Sequence, residues 1–541
     1  MCAILFTTDP SISPERFLKA LSLMAHRGPD AEGYALIRGR QLGHRRLKIL
    51  DLDNRSNQPF WSRDGRYVLV FNGEIYNYRE LAREHRIEQR TTSDTEVLVE
   101  LYARHGPKCL NWLNGMFALV ILDTHTHEVF VARDRLGVKP LYICRRNGEL
   151  TVASELAPLL ALSDVTAFDE VGLRQYRKLR TFFNGRTAYR GIEMFPPAHY
   201  MLNGKLHRYW QLPEGPQDPP TDSELEKLIR ESVCQRLISD VPIGSYLSGG
   251  LDSTIVAALA QKPHTWTVGF AEDNEFEWGR LAAKHIHSTH HEVLITPAEF
   301  IELARWMIRK RREPLSVPNE VLLYKMTLAV KEYNTVILSG EGADELFFGY
   351  DRIFRWAAHT RQWDLKTFAA LYSYGSHEDL EIVKDVLAPF LHRQRPLDIV
   401  AHFFQVAHLH GLLRRLDNAT MLCSVEARVP FVDHHPLVER MAGVPFEYRM
   451  EQGIVKSPLK RVFRQIVPAR ILQRQKVGFP VPLEKIFSDK NANSSPMDRW
   501  LEFNLAELTE TQSPLPARAP RPLPGNGVSS VADAEPPVKE R

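Results

Sequence analysis

An apolar run at 241–247, a Ser-Gly-Gly turn at 248–250 and an apolar stretch at 254–260 follow one another, and this succession constrains the fold more than any other segment. The run predicts a buried strand, and the stretch predicts a helix capped by Asp252 or Ser253. Glycine lets the backbone approach a ligand closely, and the free N–H groups of a helix start attract negative charge. The segment therefore predicts a strand–turn–helix unit that cradles an anion.

A second segment repeats this arrangement with acidic residues. Residues 335–339 predict a strand, and residues 340–345, Gly-Glu-Gly-Ala-Asp-Glu, predict a turn. Strands that alternate with helices favour a parallel, doubly wound sheet, in which ligands bind beyond the carboxyl ends of the strands. Two such turns on neighbouring strands would place Asp252 and Asp344 around one metal ion, and carboxylate oxygens are ligands that suit Mg²⁺.

Neither turn matches a common nucleotide-binding motif. The Walker loop needs Gly-x-x-x-x-Gly-Lys-Ser/Thr, and Glu345 stands where a dinucleotide fingerprint needs its third glycine. The run Ser-Gly-Gly-Leu-Asp-Ser at 248–253 instead resembles the pyrophosphate loop of enzymes that split ATP into AMP and pyrophosphate. A purely structural glycine turn before a helix is the alternative interpretation.

The first two hundred residues predict a different fold. Strands are expected at 43–51, 67–77, 115–123, 128–134, 141–144 and 150–154, and helices near 14–26 and 95–105. The short turns between successive strands favour antiparallel pairing. This part therefore predicts an α+β domain of two antiparallel sheets with helices outside.

Cys2 is a candidate nucleophile of this first domain. A methionine before a small residue is commonly excised, so removal of Met1 would make Cys2 the N-terminal residue. The α-amine, with a reference pKa of about 7.8, can then take the proton of the thiol. Most residues at position 2 have no catalytic role, so this signal gains its weight only from the motifs that follow.

Composition excludes several classes of protein. A net charge of +3 over 541 residues gives no basis for a nucleic-acid or membrane partner. No apolar run approaches about 20 residues, and the N-terminus lacks the basic and apolar regions of a signal peptide. Five scattered cysteines without a Cys-x-x-Cys pair favour a reducing compartment and no zinc site. We therefore expect a cytoplasmic protein of two or more domains.

An ordered series of motifs carries a resemblance to a known family. The series is Cys2, RGPD at 27–30, RRL at 45–47, NGEIYN at 72–77, SDTE at 93–96, RDRLGVKPLY at 133–142, ASE at 153–155, SGGLDS at 248–253, SGEGADE at 339–345 and VEARVPFVD at 425–433. Residues 1 to about 200 resemble the glutaminase domain of class II (N-terminal-nucleophile, Ntn) glutamine amidotransferases. Residues about 220 to 480 resemble the ATP-pyrophosphatase (PP-loop) domain of glutamine-hydrolysing asparagine synthetases.

The resemblance implies roles for the N-terminal motifs. Cys2 would attack the amide of glutamine and release ammonia, with Asn72 and Gly73 as oxyanion donors. Arg46 would bind the carboxylate of glutamine. Glu74 and Asp94 would receive the α-ammonium of glutamine, and Asn72 would also contact the bound glutamine. The alternatives are a surface charge for Arg46 and a helix cap for Asp94, a cap position that Ser93 could also fill.

The resemblance also implies roles for the second domain. ATP would be bound by Leu247, Ser248, Gly249, Gly250, Asp252, Ser253, Val268, Ser339 and Gly340, with Gly269 beside the adenine. Mg²⁺ would be held by Asp252 and Asp344. Glu341 would take a proton from the attacking nitrogen, because ammonium dominates the ammonia pool at neutral pH. Lys456 would stabilise the leaving pyrophosphate, with a helix beginning at Pro458, and Arg428 would hold a carboxylate of the acceptor.

Three segments depart from the family pattern. The family usually opens Cys-Gly-Ile-x-Gly, whereas Ala3 and Phe6 occupy the glycine positions here. This departure leaves free ammonia open as an alternative nitrogen source. Residues 313–320 lack the second acidic residue of the usual Asp-Glu-Pro-x-x-Asp-Pro-Ser run. Residues 417–421 read Asp-Asn-Ala-Thr-Met instead of Asp-Arg-x-Ser-Met. The last two changes concern the acceptor side.

These observations predict a domain plan and three hypotheses of function. The plan is a glutaminase domain at 1–205, a Pro-rich linker at 206–222, an ATP-binding domain at 223–490 and a disordered tail at 491–541. The first hypothesis is ATP-dependent conversion of aspartate to asparagine through an acyl-adenylate. The second is the same chemistry on another carboxylate in a natural-product or cell-surface pathway. The third is a regulatory protein that binds glutamine or ATP without turnover. A homodimer is one assembly compatible with all three.

Overall fold

The computed structural model describes residues 2–474, 480–487, 494–510 and 529–531. Two domains are evident from the pairing of the strands. The first domain contains the strands β1 (Cys2–Thr7), β2 (Ala31–Ile37), β3 (Arg40–Arg46), β4 (Phe60–Trp61), β5 (Tyr67–Ile75), β6 (Gly115–Asp123), β7 (Val129–Arg133), β8 (Tyr142–Arg146), β9 (Glu149–Ala153), β10 (Ile192–Met194), β11 (His199–Leu202) and β12 (Lys205–Arg208).

These strands form two antiparallel sheets. Among the described residues, the first sheet has the order β10-β8-β9-β1-β3-β2 and the second β12-β11-β7-β6-β5-β4. The two sheets pack face to face, since Ile4 and Phe6 of β1 share a buried cluster with Val68 and Val70 of β5. The predicted two-sheet sandwich is confirmed.

Helices lie outside this sandwich. They are α1 (Pro14–Ser22), α2 (Tyr78–Glu84), α3 (Asp94–His105), α4 (Leu156–Ser163) and α5 (Glu170–Leu179), with 3₁₀ turns at Asn54–Ser56 and Gly106–Asn111. The helix α3 begins where SDTE predicts it, and the Ser93 hydroxyl accepts the N–H of Thr95, so Ser93 is the cap. Asp94 is therefore the first residue of α3 and not its cap.

The second domain is built on a parallel sheet. Its strands are β13 (Ile243–Tyr246), β14 (His264–Gly269), β15 (Thr289–Leu294), β16 (Val336–Leu338), β17 (Glu426–Arg428) and β18 (Ser529–Val531). Within the described part of the chain the order is β17-β16-β13-β14-β15-β18, and all pairs are parallel except that of β18 with β15. The chain order reverses between β13 and β16, so their carboxyl ends form the switch point where ligands bind in such sheets.

Helices cover both faces of this sheet and extend beyond it. They are α6 (Asp222–Gln235), α7 (Leu251–Ala260), α8 (Phe276–Ile286), α9 (Pro297–Arg311), α10 (Asn319–Val330), α11 (Ala343–Phe347), α12 (Asp351–His359), α13 (Leu365–Tyr372), α14 (Leu380–Leu387), α15 (Pro396–His402), α16 (Leu409–Met421), α17 (His435–Met441), α18 (Phe446–Arg449), α19 (Ser457–Val462), α20 (Ala469–Gln473), α21 (Leu483–Ile486) and α22 (Pro496–Thr509). Short 3₁₀ turns lie at Ala388–Phe390 and Glu451–Gly453, and a π-helix lies at Phe403–His408. The predicted doubly wound domain is confirmed.

Three predicted boundaries are wrong. The helix after the Ser-Gly-Gly turn begins at Leu251 with Gly250 as its extended cap, so Asp252 and Ser253 lie in its first turn. The strand Lys205–Arg208 pairs with β11, which assigns residues 206–208 to the first domain rather than to a linker.

The third error concerns the tail. Residues 496–509 form α22 instead of a disordered segment, because the side chain of Trp500 is fully buried and the hydroxyl of Ser495 caps the helix. Residues 491–493, 511–528 and 532–541 of the predicted tail lie outside the described residues. In the described part of the chain, no helix is long and apolar enough to cross a membrane.

Candidate active site

Cys2, the first residue of β1, contacts Asn72 of β5. Cys2 opens β1 and its backbone N–H donates to Asn72 Oδ1 at 2.9 Å. Burial raises the pKa of the Cys2 thiol. Asn72 is itself fully buried, and its Nδ2 has no hydrogen-bond partner among the described residues. A buried amide N–H₂ without a protein partner can donate its hydrogen bonds to a bound ligand.

Gly73 follows Asn72 in β5 and has no room for a side chain. A Cβ atom built there would lie 2.1 Å from the carbonyl oxygen of Met116 on β6. The strand pairing that brings β6 this close continues from Tyr67 to Ile75, so the backbone around Gly73 is fixed on one side. The backbone of Gly73, next to the residue whose side chain contacts Cys2, is therefore held by its pairing with β6.

Arg46 lies directly across the first sheet from Cys2, since the two residues are partners in the β1–β3 pairing. Its guanidinium is buried and donates to the carbonyl oxygens of Asp53 and Asp51 and to Asn57 Oδ1, at 2.7, 2.5 and 2.8 Å. Burial lowers the pKa of Arg46. A guanidinium held by neutral oxygen atoms keeps its positive charge for an anionic ligand.

Glu74 and Asp94 supply negative charge to the same region. Asp94 Oδ2 accepts the backbone N–H of Ile75 at 2.9 Å, which ties the start of α3 to the end of β5. Burial raises the pKa of Asp94 to about 6. Burial, followed by the nearby charges of Glu426 and Asp94, raises the pKa of Glu74 well above its usual value. Both carboxyl groups thus lie in surroundings where a cationic ligand would favour their charged forms.

The second site begins with the two glycine turns, which pack against each other. A Cβ atom on Gly340 would lie 2.9 Å from the backbone nitrogen of Ser253, in the first turn of α7. Gly249 has a positive φ of 69°, and a Cβ atom there would meet the backbone of Trp278 at 2.3 Å. Glycine is therefore required at both positions, and the N–H groups of the first turn stay open to a cleft.

This cleft lies at the switch point and has a volume of about 780 Å³. Seven of the nine predicted ATP-binding residues line it, and these are Leu247, Ser248, Gly250, Asp252, Ser253, Ser339 and Gly340. Val268 does not line it, because its side chain is buried in the core of the sheet. Trp266 and Thr267, two residues and one residue earlier, line the cleft instead.

Lys456 joins the two predicted metal ligands. Its Nζ lies 2.5 Å from Asp252 Oδ2 and 2.6 Å from Asp344 Oδ1. The lysine adopts a positive φ of 55° immediately before α19, and the helix begins at Ser457, one residue before the predicted start at Pro458. Two carboxylates that converge on one ammonium group define a position fit for a cation.

Glu341 also lines the cleft and pairs with an arginine. Arg415 of α16 donates to Glu341 Oε1 at 2.5 Å and to Asn319 Oδ1 at 3.1 Å, and all three residues line the cleft. Asn319 belongs to the segment in which the usual second acidic residue is missing. The carboxylate of Glu341 is thus held at the cleft by a cation that the sequence did not reveal.

Arg428, predicted to hold the acceptor, lies elsewhere. It is fully buried between the domains, where its guanidinium donates to Glu426 at 2.6 Å and to the carbonyl oxygens of Arg236 and Ile238 at 2.8 and 2.7 Å. Its other edge lies 3.8 Å from Glu74. The prediction is wrong because β17 directs this side chain towards the first domain and not towards the cleft.

Comparison with known proteins agrees with this geometry. A model of the asparagine synthase family, described as asparagine synthase, matches residues 224–515, and a model described as glutamine amidotransferase domain matches residues 1–210. The chain belongs to the asparagine synthase family. The predicted resemblance is thereby confirmed for both domains.

Curated relatives of this asparagine synthase family member span most of its length. Asparagine synthetase (glutamine-hydrolyzing) 1 of Bacillus subtilis is 28% identical over 92% of this chain and 88% of its own. A putative asparagine synthetase (glutamine-hydrolyzing) of Mycobacterium tuberculosis is 32% identical over 86% and 84%. Asparagine synthetase B (glutamine-hydrolyzing) of Escherichia coli is 30% identical over 88% and 82%.

A network of buried charges joins the two domains of this asparagine synthase family member. Arg27 is fully buried and donates through Nε to the carbonyl oxygen of Cys2 at 3.2 Å and through Nη2 to Asp417 Oδ2 of α16 at 2.8 Å. Lys139 donates to the other oxygen of Asp417 at 3.3 Å. The helix α16 also carries Arg415, so one element contacts the side chain of Glu341 directly and reaches the backbone of Cys2 through Arg27.

Sequence reasoning missed these contacts. In the sequence, Asp417 stands out only as part of a departure from the family pattern. Arg27 and Lys139 are members of longer motifs, and these motifs assign them no partner. Arg27 and Asp417 are 390 positions apart, so no local pattern could pair them. Arg415 and Glu341 are 74 positions apart. The sequence signal that points to such contacts is a charged residue within a motif whose neighbours are expected to be buried.

Proposed function

We propose that this chain is a glutamine-hydrolysing asparagine synthetase. It amidates the side-chain carboxylate of aspartate with ammonia from glutamine, using ATP, and gives asparagine, glutamate, AMP and pyrophosphate. One observation carries the proposal: a single chain places Cys2 beside the side-chain amide of Asn72, whose Nδ2 has no partner among the described residues, and also holds Lys456 and Glu341 in a cleft at the switch point. The names of the relatives support the choice of aspartate as acceptor.

Glutamine hydrolysis falls to the first domain. With Met1 removed, the α-amine of Cys2, held by Asn72 Oδ1, takes the thiol proton, and the thiolate attacks the side-chain amide of glutamine. The N–H₂ of Asn72 and the N–H of Gly73 stabilise the oxyanion of the tetrahedral intermediate. Arg46 binds the carboxylate of the substrate, and Glu74 and Asp94 receive its ammonium. Ammonia leaves, and water then releases glutamate from the thioester.

Activation of the acceptor falls to the cleft. The phosphates of ATP lie against the N–H groups of the Ser248–Gly250 turn and the start of α7, and Lys456 offsets charge on the departing pyrophosphate. Asp252 and Asp344 fit a divalent cation because they already converge on one ammonium group. We assign them to Mg²⁺, which when bound neutralises phosphate oxygen atoms. The aspartate carboxylate attacks the α-phosphorus, and pyrophosphate leaves.

Formation of the amide is assigned to Glu341 in the same cleft. Ammonia released at Cys2 passes through the domain interface and attacks the acyl carbon, while Glu341 removes a proton from the attacking nitrogen. Arg415 holds the carboxylate of Glu341 in place through its bonds to Glu341 and Asn319. AMP then leaves. A cytoplasmic location and a homodimer stay predictions.

The decisive experiment follows nitrogen and phosphate together. The purified protein receives glutamine labelled with ¹⁵N in its amide, Mg-ATP and aspartate, and mass spectrometry follows labelled asparagine and AMP. Equal amounts of both products are expected. Glutamate without asparagine or AMP would contradict the assignment of aspartate and would direct the search to other carboxylates.

Cys2→Ala is the matched control variant. It is expected to lose glutamine-dependent asparagine and to keep ammonia-dependent asparagine, because the cleft is built from other residues. Loss of both activities in a folded Cys2→Ala protein would contradict the division of labour between two sites. Intact-mass spectrometry of the wild type shows whether Met1 is removed, which the mechanism requires.

A further inference from the structure

Arg474 lies on the wall of the ATP cleft, next to the Ser-Gly-Gly turn. Its guanidinium donates to the carbonyl oxygen of Gly249 at 3.3 Å, and it pairs with Glu275, which also lines the cleft. About a tenth of each of these two side chains is exposed, 12% for the arginine and 10% for the glutamate. A cation thus stands at the turn that is proposed to receive phosphate.

The arginine is held in place by Trp278. The guanidinium carbon lies 4.4 Å from the centre of the Trp278 ring, within the range of a cation–π contact. The backbone of Trp278 fills the space that a side chain on Gly249 would need. Trp278 therefore fixes both the turn and the arginine, and the planar guanidinium keeps one orientation relative to the N–H groups of the turn.

Arg470 also contacts the ring of Trp278 but does not line the cleft. Arg470 lies in α20, four residues before Arg474, and its guanidinium carbon is 5.2 Å from the centre of the Trp278 ring. Its partner is Glu277 at 2.8 Å, and both side chains are mostly exposed, at 62% and 66%. Arg470 does not line the cleft. The chain thus offers two arginines on one tryptophan, of which one faces the cleft.

We propose that Arg474 binds the polyphosphate of ATP and the departing pyrophosphate, as a second cation beside Lys456. Guanidinium groups match phosphate oxygens with two parallel hydrogen bonds, and a guanidinium stacked on an indole ring is oriented for this purpose before the ligand arrives. Glu275 would repel phosphate if it were alone. Its pairing with Arg474 offsets that charge and leaves the remaining N–H groups of the guanidinium for the ligand.

Lys456 and Arg474 would serve different parts of the same anion. Lys456 lies between Asp252 and Asp344, whereas Arg474 contacts the outer rim of the turn at Gly249. The inference rests on the proposed function, since it names a further binding residue of the proposed ATP site. It makes a separate claim, however, because binding of pyrophosphate can be measured without any turnover.

The test compares Arg474→Ala, Arg474→Lys and the control Arg470→Ala in the full-length protein. Isothermal titration with magnesium pyrophosphate gives Kd, and ATP–pyrophosphate exchange with aspartate gives KM for ATP. Arg474→Ala is expected to weaken pyrophosphate binding about tenfold to a hundredfold, the usual effect of losing charge-assisted hydrogen bonds. Arg474→Lys keeps the charge but not the fork, so we expect an intermediate loss. Arg470→Ala is expected to bind like the wild type.

The outcomes separate this inference from the proposed function. If the wild type binds pyrophosphate and Arg474→Ala binds it equally well, Arg474 is not a binding residue. An equal loss in Arg470→Ala would mean that the stack on Trp278 only maintains structure, and it would overturn the inference as well. A wild type that binds pyrophosphate without exchange would contradict the proposed function alone. Circular dichroism and the melting temperature confirm that each variant is folded.

Discussion

Asn72 uses both ends of one side-chain amide. The oxygen accepts from the backbone nitrogen of Cys2, and the buried N–H₂ is left without a partner among the described residues. Since a buried donor without a partner is unfavourable by about 1–3 kcal/mol, its position is explained by a ligand that completes the bond. The amide therefore orients the base and stabilises the oxyanion at the same time.

Asn72→Asp is expected to lower the rate of glutamine hydrolysis about 10²–10³-fold, because the carboxylate keeps the acceptor but loses the oxyanion donor. The measurement is glutamate release, with ammonia-dependent asparagine formation as an internal reference that stays near the wild-type rate. Asn147→Asp makes the same chemical change in an exposed turn and serves as control. Equal hydrolysis by Asn72→Asp and the wild type would contradict the assigned role.

Asp94 predicts a pH dependence of glutamine binding. Burial raises its pKa to about 6, so the folded protein holds this proton more tightly than the unfolded chain, in which the pKa is lower. Protonation of Asp94 therefore stabilises the fold at low pH, and this contribution is lost as the pH rises through about 6. The ammonium of glutamine requires the charged form, so KM for glutamine should rise as the pH falls below about 6.

The measurement is KM for glutamine from about pH 5 to about pH 8 in the wild type and in Asp94→Asn. The variant cannot ionise at this position, so its KM should be high and nearly independent of pH. A variant that keeps the full pH dependence of the wild type would show that another group, such as Glu74, is responsible.

At the scale of elements, α16 connects the two sites. Arg415 contacts Glu341 at the cleft, and Asp417, two residues later, contacts Arg27, which in turn donates to the carbonyl oxygen of Cys2. All of these side chains except Glu341 are buried. A single helix thus fixes the position of Glu341 in the cleft relative to the residues around Cys2.

Asp417→Asn is expected to lower the free energy of unfolding by about 3–5 kcal/mol, since it leaves the buried cations Arg27 and Lys139 without their shared carboxylate. Urea unfolding measures this change. Asp164→Asn, which removes an exposed pair with Arg16, is the control and should change the free energy by less than about 1 kcal/mol. A similar small change for Asp417→Asn would mean that water or other groups satisfy both cations.

At the scale of the whole molecule, the domains share one hydrophobic core. A continuous buried cluster includes Ala3 and Leu5 of the first domain and Leu225 and Ile243 of the second. Buried polar contacts cross the same interface, such as that of Tyr76 with Asp433 at 3.1 Å. The two domains are therefore expected to unfold together.

A fragment of residues 1–210 should consequently be less stable than the same residues in the intact chain. Without the second domain, Arg27 and Lys139 lose Asp417, and apolar surface is exposed. Calorimetry is expected to show one transition for the intact chain and a melting temperature lower by about 10 °C for the fragment. Addition of the 211–541 fragment should restore part of the loss. Two separate transitions in the intact chain, one of them equal to that of the fragment, would contradict the shared core.

Much of the candidate site was predictable because its signals are local. The turn at 248–250, the acidic turn at 340–345 and the pair of Cys2 with the NGEIYN motif are each contiguous runs whose conformation follows from neighbouring residues. The convergence of Asp252 and Asp344 followed from a general property of parallel sheets, whose strands present their carboxyl ends at one edge. Lys456 could be placed there only through the family resemblance.

Local patterns in the chain specify the two fold classes, the order of the domains and the chemistry of the two turns, because strand and helix periods and glycine positions act over short distances. Which buried charges meet depends on the packed tertiary structure. Arg428 donates to the carbonyl oxygen of Ile238 at the interface, and Arg415 donates to Glu341. Arg27 donates to Asp417, and Arg474 donates to the carbonyl oxygen of Gly249. Such pairs lie far apart in the chain, and the low-dielectric interior that joins them exists only after the sheets and helices have packed.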